Sequence, residues 1–319
     1  MIKRLLSATP SELQQMTAKE LLQSIRISEG RTLIVAARVR ASNMVDYVSN
    51  AEVAAAFGAD IINLDTYDIT NPYVPGWKSK NPEEDNYIYN HVQVLLGKGY
   101  TYKEIEDIVG RPIGLLMMIA EENARESLEK AYGNIVVTPE RMQQAVDLGV
   151  KMIDISGWCS HETIVRQLRE AKEIVKDNII LQFDKPHGPG LMDSNQEFSE
   201  LMTEEEVIDY LVAGADIIGM PAPGTYPGWT IEKCKRYVDL VHKHGGLATL
   251  GVHTSQEGSM THTLEQIALY SKMAGADIHA LGDSGNNEQM IDPLNILHYS
   301  IAMKGRRHTF RRIAMSNKR

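Results

Sequence analysis

An α/β fold, a single (βα)8 TIM barrel with an N-terminal helical extension, is what this sequence predicts, on three observations. The first is a repeated phrase: an apolar helix end, a glycine, and a short apolar strand with a polar end. Phe57-Gly58-Ala59-Asp60 precedes Ile61-Ile62-Asn63-Leu64-Asp65, and Leu148-Gly149-Val150-Lys151 precedes Met152-Ile153-Asp154-Ile155-Ser156. Ala213-Gly214-Ala215-Asp216 precedes Ile217-Ile218-Gly219-Met220, and Ala274-Gly275-Ala276-Asp277 precedes Ile278-His279-Ala280-Leu281. Repeated units of this kind leave their strands uncovered until they close on each other. The second is that eight strand–helix pairs fit into 319 residues, the length of one such barrel. The third is that the strands are short and apolar, as when both faces are covered. A doubly wound open sheet is the alternative. The chain carries neither a Gly-rich dinucleotide fingerprint nor a Walker-type phosphate loop, so no nucleotide cofactor is expected.

The elements follow in order. Residues 1–30 read as a helical cap over one end of the barrel. Thr9-Pro10-Ser11-Glu12 and Thr17-Ala18-Lys19-Glu20 both look like helix starts, the second with Glu20 at the capping-box position. The barrel then occupies 31–319, including a basic C-terminal helix. Its strands are expected at 32–39, 61–64, 112–120, 152–155, 178–183, 217–220, 247–252 and 278–281. Helices are expected at 45–57, 87–97, 102–109, 123–131, 139–148 and 161–176, and others open at Thr203, Thr230, Thr261 or Thr263, and Asp292-Pro293. Two long polar loops, 65–86 and 184–202, suit an active-site lid.

Composition bounds the function. At 43% hydrophobic and 24% charged, the chain can bury a large core, and its net charge of −9 disfavours a nucleic-acid partner. Two cysteines, Cys159 and Cys234, exclude a disulfide framework or a cysteine-rich zinc site. No apolar run is long enough for a membrane span, and the first residues do not read as a signal peptide, so a cytoplasmic location is expected. Lys304, Arg306, Arg307, Arg311, Arg312, Lys318 and Arg319 make the last sixteen residues basic. They read as a solvated helix end, or as a contact for a neighbouring subunit or an anion. A homo-oligomer acting on a small-molecule substrate is expected.

Chemistry in such barrels gathers at the C-terminal ends of the strands. Those ends supply Arg38 and Arg40, Asp65 and Asp68, Glu121 and Glu122, Asp154, then Gln182, Asp184 and Lys185, then His253, and last Asp283 with Ser284. Carboxylates packed into one mouth raise each other's proton affinity or need a cation between them. Asp154, Lys185, His253 and Asp283 are the candidate catalytic residues. Asp154 or Asp283 would be the base, His253 an acid–base partner, and Lys185 a carbonyl polariser or Schiff-base former. Asp65 and Glu121 are candidate ligands for Mg2+ or Mn2+, an oxygen-only set suiting those ions. The plainer reading pairs these acids with Arg38 and Lys185. Arg38, Gly282, Ser284 and Gly285 are candidate substrate- or phosphate-binding residues, because backbone N–H groups after the last strands can cradle an anion. His161, His187 and His279 carry weaker signals.

The Gly-Ala-Asp-Ile-Ile runs at 58–62 and 214–218 resemble those of phosphate-binding (βα)8 barrels, including sugar-phosphate epimerases and synthases. That resemblance implies a small phosphorylated substrate and carbon–oxygen or carbon–carbon chemistry. The chain departs from it in lacking a glycine-rich phosphate motif after strand 7. Strand 6 ends in Met220-Pro221-Ala222, without the Schiff-base lysine of many aldolases. The acidic ends of strands 2 to 4 are similar to those of phosphoenolpyruvate mutase-type barrels, whose signature cysteine loop is missing. The expected function is lyase or isomerase chemistry by proton abstraction next to a carbonyl, on a small oxo-acid or carbohydrate-like metabolite. A metal-dependent hydrolase and a non-catalytic metabolite-binding barrel are the alternatives.

Overall fold

The computed structural model describes residues 2–86, 88–89, 92–186, 201–253, 256–282 and 290–319. Eight parallel strands close into a barrel in sequence order: β1 (Thr32–Arg38), β2 (Ile61–Asp65), β3 (Ile113–Met118), β4 (Met152–Ser156), β5 (Ile180–Asp184), β6 (Ile217–Pro221), β7 (Leu247–Val252) and β8 (Ile278–Leu281), which returns to β1. Around them run α3 (Asn50–Ala56), α4 (Tyr102–Val109), α5 (Arg125–Tyr132), α6 (Pro139–Asp147), α7 (His161–Val175), α8 (Glu204–Ala213), α9 (Ile231–Lys243), α10 (Thr261–Ala274) and α11 (Pro293–Ala314). Ahead of the barrel, α1 (Pro10–Gln15) and α2 (Ala18–Arg26) each begin with a capping box, Thr17 with Glu20 as its sequence announces and Thr9 with Glu12 besides.

Alternation along each strand sends every second side chain inward. The lowest inward layer is apolar. Ile34, Ile61, Met152, Ile180, Ile217, Leu247 and Ile278 form one cluster with Leu5, Leu13, Leu21 and Ile25 of the N-terminal segment. Leu5, Leu13, Leu21 and Ile25 thus pack on the floor of the barrel, opposite the mouth.

The Gly-Ala-Asp phrase has a structural meaning at that floor. Asp60 donates its backbone N–H to the Leu33 carbonyl (2.8 Å) and accepts the Leu33 N–H on its carboxylate (3.0 Å). Asp216 does the same to Leu181 (2.8 and 2.9 Å), and Asp277 to Ala248 (3.0 and 2.8 Å). Each aspartate thus clamps the start of its own strand to the strand before it. The preceding glycine ends its helix with positive φ, at Gly58, Gly214 and Gly275. In the fourth copy Lys151 replaces the aspartate, and its ammonium reaches Glu106 (3.0 Å) and the Gln14 carbonyl (2.8 Å) instead.

Several expectations need correction. Lys304 and Arg312 do not lie on a solvated helix end. Both are buried and paired with the fully buried Asp60, Arg312 at 2.9 Å, while Lys304 also donates to the Gly58 carbonyl at 3.0 Å. Burial alone would raise the Asp60 proton affinity; the two cations outweigh it and hold the carboxyl below its usual range. Arg111, also buried, sends its guanidinium to the backbone carbonyls of Ala59, Gly110, Ala55 and Arg312. The stretch 87–97 is not helical: Ile88–Tyr89 and Val92–Gln93 form a short antiparallel ladder. The first barrel helix begins at Asn50 rather than at 45, because Ser49 and Glu52 make a capping box there.

The long 65–86 loop is packed rather than lid-like. Tyr67, Ile69, Val74 and Trp77 are buried, and Asp85 accepts hydrogen bonds from the Ser79 N–H and hydroxyl (both 2.7 Å) and from the Leu96 N–H (2.9 Å). Most of the other long loop, 187–200, lies outside the described residues. Among the described residues, no helix is long and apolar enough to cross a membrane.

Candidate active site

Above the apolar floor the inward layer turns polar. Asn63 of β2 donates to Asp154 of β4 at 3.0 Å, and Thr249 of β7 donates to Gln182 of β5 at 2.9 Å. Neither pair joins neighbouring strands, so both bonds cross the barrel interior. Gln182 in turn donates to Asp184 at 3.0 Å. Inward glycines on the intervening strands make room. A Cβ on Gly114 would stand 3.2 Å from the Asn63 amide oxygen, and one on Gly219 would stand 1.1 Å from Asp184 Oδ1.

Asp154 and Asp184 meet as a hydrogen-bonded carboxyl pair. Burial pushes both above the ordinary carboxyl range, Asp154 the further because the Asp184 charge stands beside it. Asp154 Oδ1 and Asp184 Oδ1 are buried oxygens without a donor among the described residues. One proton held between the carboxyls satisfies both oxygens and removes the like-charge repulsion. Asp154 lies deep, 7% exposed, whereas Asp184 is half-buried and is the member nearer the mouth.

At the rim, Arg38 Nε donates to Asp65 at 2.8 Å, and the Asp65 charge adds to what raises Asp154. The His253 ring occupies the space over two glycines. Its Nε2 would be 2.2 Å from a Cβ on Gly251, and its Nδ1 2.9 Å from one on Gly282. Gly282 thus seats a histidine, and its smallness is needed for that.

The structure therefore brings Asp65, Asp154, His253, Arg38 and Gly282 together. It takes Glu121 and Lys185 elsewhere. Glu121 caps α7, accepting from the Ser160 N–H (2.8 Å) and hydroxyl (2.9 Å) and from the Thr163 hydroxyl (2.9 Å). Lys185 follows the inward Asp184, so it points outward, and its ammonium meets Glu206 of α8 at 2.8 Å. With Asp65 on Arg38 and Glu121 on α7, these two acids do not make a shared site for Mg2+ or Mn2+. Among the described residues, no three His, Cys, Asp or Glu side chains are placed to hold a metal ion. Asp283, Ser284, Gly285 and His187 lie outside the described residues. His161 bonds to Asp209 on the outer helices at 3.0 Å. His279 points out of the barrel onto the Tyr299 hydroxyl (3.1 Å), and burial pushes its pKa down to about 3.

Sequence reasoning gave no role to Asn63, Gln182, Thr249 or the pairing of Asp184. The signal was present in the phase of the strands. Asn63 is two residues before Asp65, and Gln182 two before Asp184, so each shares its neighbour's inward face.

The model of a family described as a domain of unknown function (DUF7916) matches residues 6–319. No curated protein matches the sequence. Among solved structures, an archaeal fructose 1,6-bisphosphate aldolase is similar at 14% identity and a TM-score of 0.51, over 90% of this chain and 98% of that one. A putative fructose-1,6-biphosphate aldolase from Coccidioides immitis is similar at 12% identity and a TM-score of 0.47, over 98% of each chain. The carboxyl transferase domain of Rhizobium etli pyruvate carboxylase, solved with pyruvate, is similar at 12% identity and a TM-score of 0.49 over 99% of this chain. This chain covers 53% of that one, about half its length. At such identities the likeness concerns the fold alone.

Proposed function

The chain belongs to the DUF7916 family, and from that premise we propose that it is an enzyme of lyase or isomerase type that moves a proton at the carbon next to a carbonyl. The substrate is a small oxo-acid or carbohydrate-like metabolite. The observation that carries this reading is the Asp154–Asp184 pair. Two carboxyls in contact, both held above the ordinary carboxyl range and one of them facing the mouth, suit acid–base chemistry near neutral pH.

In this reading Asp184, nearer the mouth, takes the proton from carbon, and Asp154 steadies the pair by holding its own proton against it. Asn63 orients Asp154 across the barrel, and Gln182, itself held across the barrel by Thr249, orients Asp184. The electron pair left on carbon moves into the carbonyl, and the charge on its oxygen is met by Arg38, which Asp65 positions. His253, which follows β7, two strands round the ring from Asp184, returns a proton.

The test is deuterium uptake from D2O at the carbon beside the carbonyl, followed by proton NMR over a panel of 2-oxo acids and sugar phosphates. Asp154→Asn and Asp184→Asn should each lower the uptake rate on the accepted substrate by about 10²–10⁴-fold. Uptake on no member of the panel, or uptake that both variants leave intact, refutes the proposal.

A further inference from the structure

Beside the mouth, on the β1–β2 side, a cavity of about 680 Å³ opens between the loop after β1 and the long loop after β2. Val39, Arg40, Tyr47, Tyr73, Pro75 and Leu95 are among the residues that line it. Its volume falls in the range of small-molecule sites, roughly 300–1,000 Å³. Val39 and Arg40 directly follow Arg38, so the cavity begins one or two residues from the cation assigned to the reacting carbonyl.

The walls are built rather than incidental. Gly76 lies against the 43–48 loop, where a Cβ would stand 2.1 Å from the Asn43 amide nitrogen and 2.7 Å from the Val48 carbonyl oxygen. Asn43 donates to the Val48 carbonyl (2.8 Å), Asn50 accepts the Met44 N–H (3.0 Å), and Gly76 donates to the Leu95 carbonyl (2.9 Å). On this fixed frame Tyr47 stands at the rim, 63% exposed, with its backbone at φ +62°. Left-handed backbone in a residue with a bulky side chain is strained, and strain is retained where a site requires it. Met44 and Val45 beside it are also exposed. An aromatic side chain held outward at a cost, over a cavity that joins apolar walls to the polar Arg40, Asn43, Asp46 and Gln93, fits a ligand that covers it.

We propose that this cavity binds the non-reacting tail of the substrate, and that the tail is an uncharged, ring-bearing group on a 2-oxo acid. The two tyrosines and the Leu95, Val39 and Pro75 surfaces take the ring, and the oxo-acid end projects past Arg40 toward Arg38. The inference rests on the proposed function for the position of that end, but binding in the cavity does not need turnover.

Calorimetry with phenylpyruvate and pyruvate tests it. The full chain should bind phenylpyruvate at least about tenfold more tightly than pyruvate, from burial of the ring. Ala41→Trp, which fills the cavity from an exposed loop, and Tyr47→Gly, which removes the rim ring and relieves the backbone, should each bring the ratio near one. Tyr47→Gly should also raise the melting temperature, which separates loss of the site from loss of the fold. Asp184→Asn should keep the tenfold preference, so failure of the chemistry and failure of the site read differently. Equal binding of the two acids by the wild type, or a preference that both cavity variants retain, overturns the inference.

Discussion

Adding one methyl group at residue 219 is the sharpest perturbation of the carboxyl pair. Gly219 faces the barrel interior on β6, and its Cβ in Gly219→Ala would lie 1.1 Å from Asp184 Oδ1, 2.2 Å from its Cγ and 2.9 Å from its Oδ2. Non-bonded contact needs about 3.5 Å, so the carboxyl has to swing by roughly 2 Å. That movement breaks the Gln182 bond at 3.0 Å and the contact with Asp154. A lost hydrogen bond costs about 1 kcal/mol, and overpacking an interior about 1–3 kcal/mol. A destabilisation of ~2–4 kcal/mol follows, measured as the shift of the urea midpoint at constant slope. Deuterium uptake on the substrate found in the panel should fall at least about 10²-fold. The infrared C=O stretch of the protonated carboxyl should shift, because Asp184 no longer stands beside Asp154. A folded Gly219→Ala protein with wild-type uptake and an unchanged band would refute the reasoning.

Three further outcomes follow from other groups. Asp154 binds its proton more tightly in the folded chain than in the unfolded one, so its stabilising term is present at low pH. That term is lost as pH rises from the ordinary carboxyl range through the raised folded value, by up to about 1.4 kcal/mol per pH unit. Asp154→Asn should remove that decline; parallel urea midpoints for the two proteins between acid and neutral pH would contradict it. Asp60→Asn leaves Lys304, Arg312 and Arg111 buried with their counter-charge gone, which should cost about 3–5 kcal/mol, and a loss below ~1 kcal/mol in urea would show that the buried ion pairs do not hold the floor together. Glu121→Gln and Lys185→Met should both leave deuterium uptake within about twofold of wild type, since one residue caps α7 and the other pairs with Glu206; a large loss in either would return it to the site.

The barrel was legible because its signal is periodic and local. Glycine after an apolar helix, then an aspartate and a short apolar run, can be read without knowing what the strand touches, and the aspartates turn out to clamp neighbouring strands. The site was legible only as far as strand ends could be located. Asp65, Asp154 and His253 arrive where their positions imply. Glu121 and Lys185 do not, because one residue of phase decides between mouth and outer helix, and each found a partner there that no pattern announces. The Asp154–Asp184 pair depends on two strands lying side by side and on Gly219 leaving space, facts of closure rather than of any one segment. The stretch 87–97 reads as a helix because its apolar spacing suits one, while Ile88–Tyr89 pairs with Val92–Gln93 in a ladder instead.

The aspartate clamps and the buried Asp60 cluster fasten the ring from beneath, at the end away from the mouth. Architectural rigidity and chemical selectivity are thereby assigned to opposite poles of one molecule. Exposed loop positions such as 44–47 and 80–84 are then open to substitution, whereas Asp60, Asp216 and Asp277 are held by the bonds they make. Laboratory evolution of this scaffold should be aimed at those loops and should leave the underside untouched.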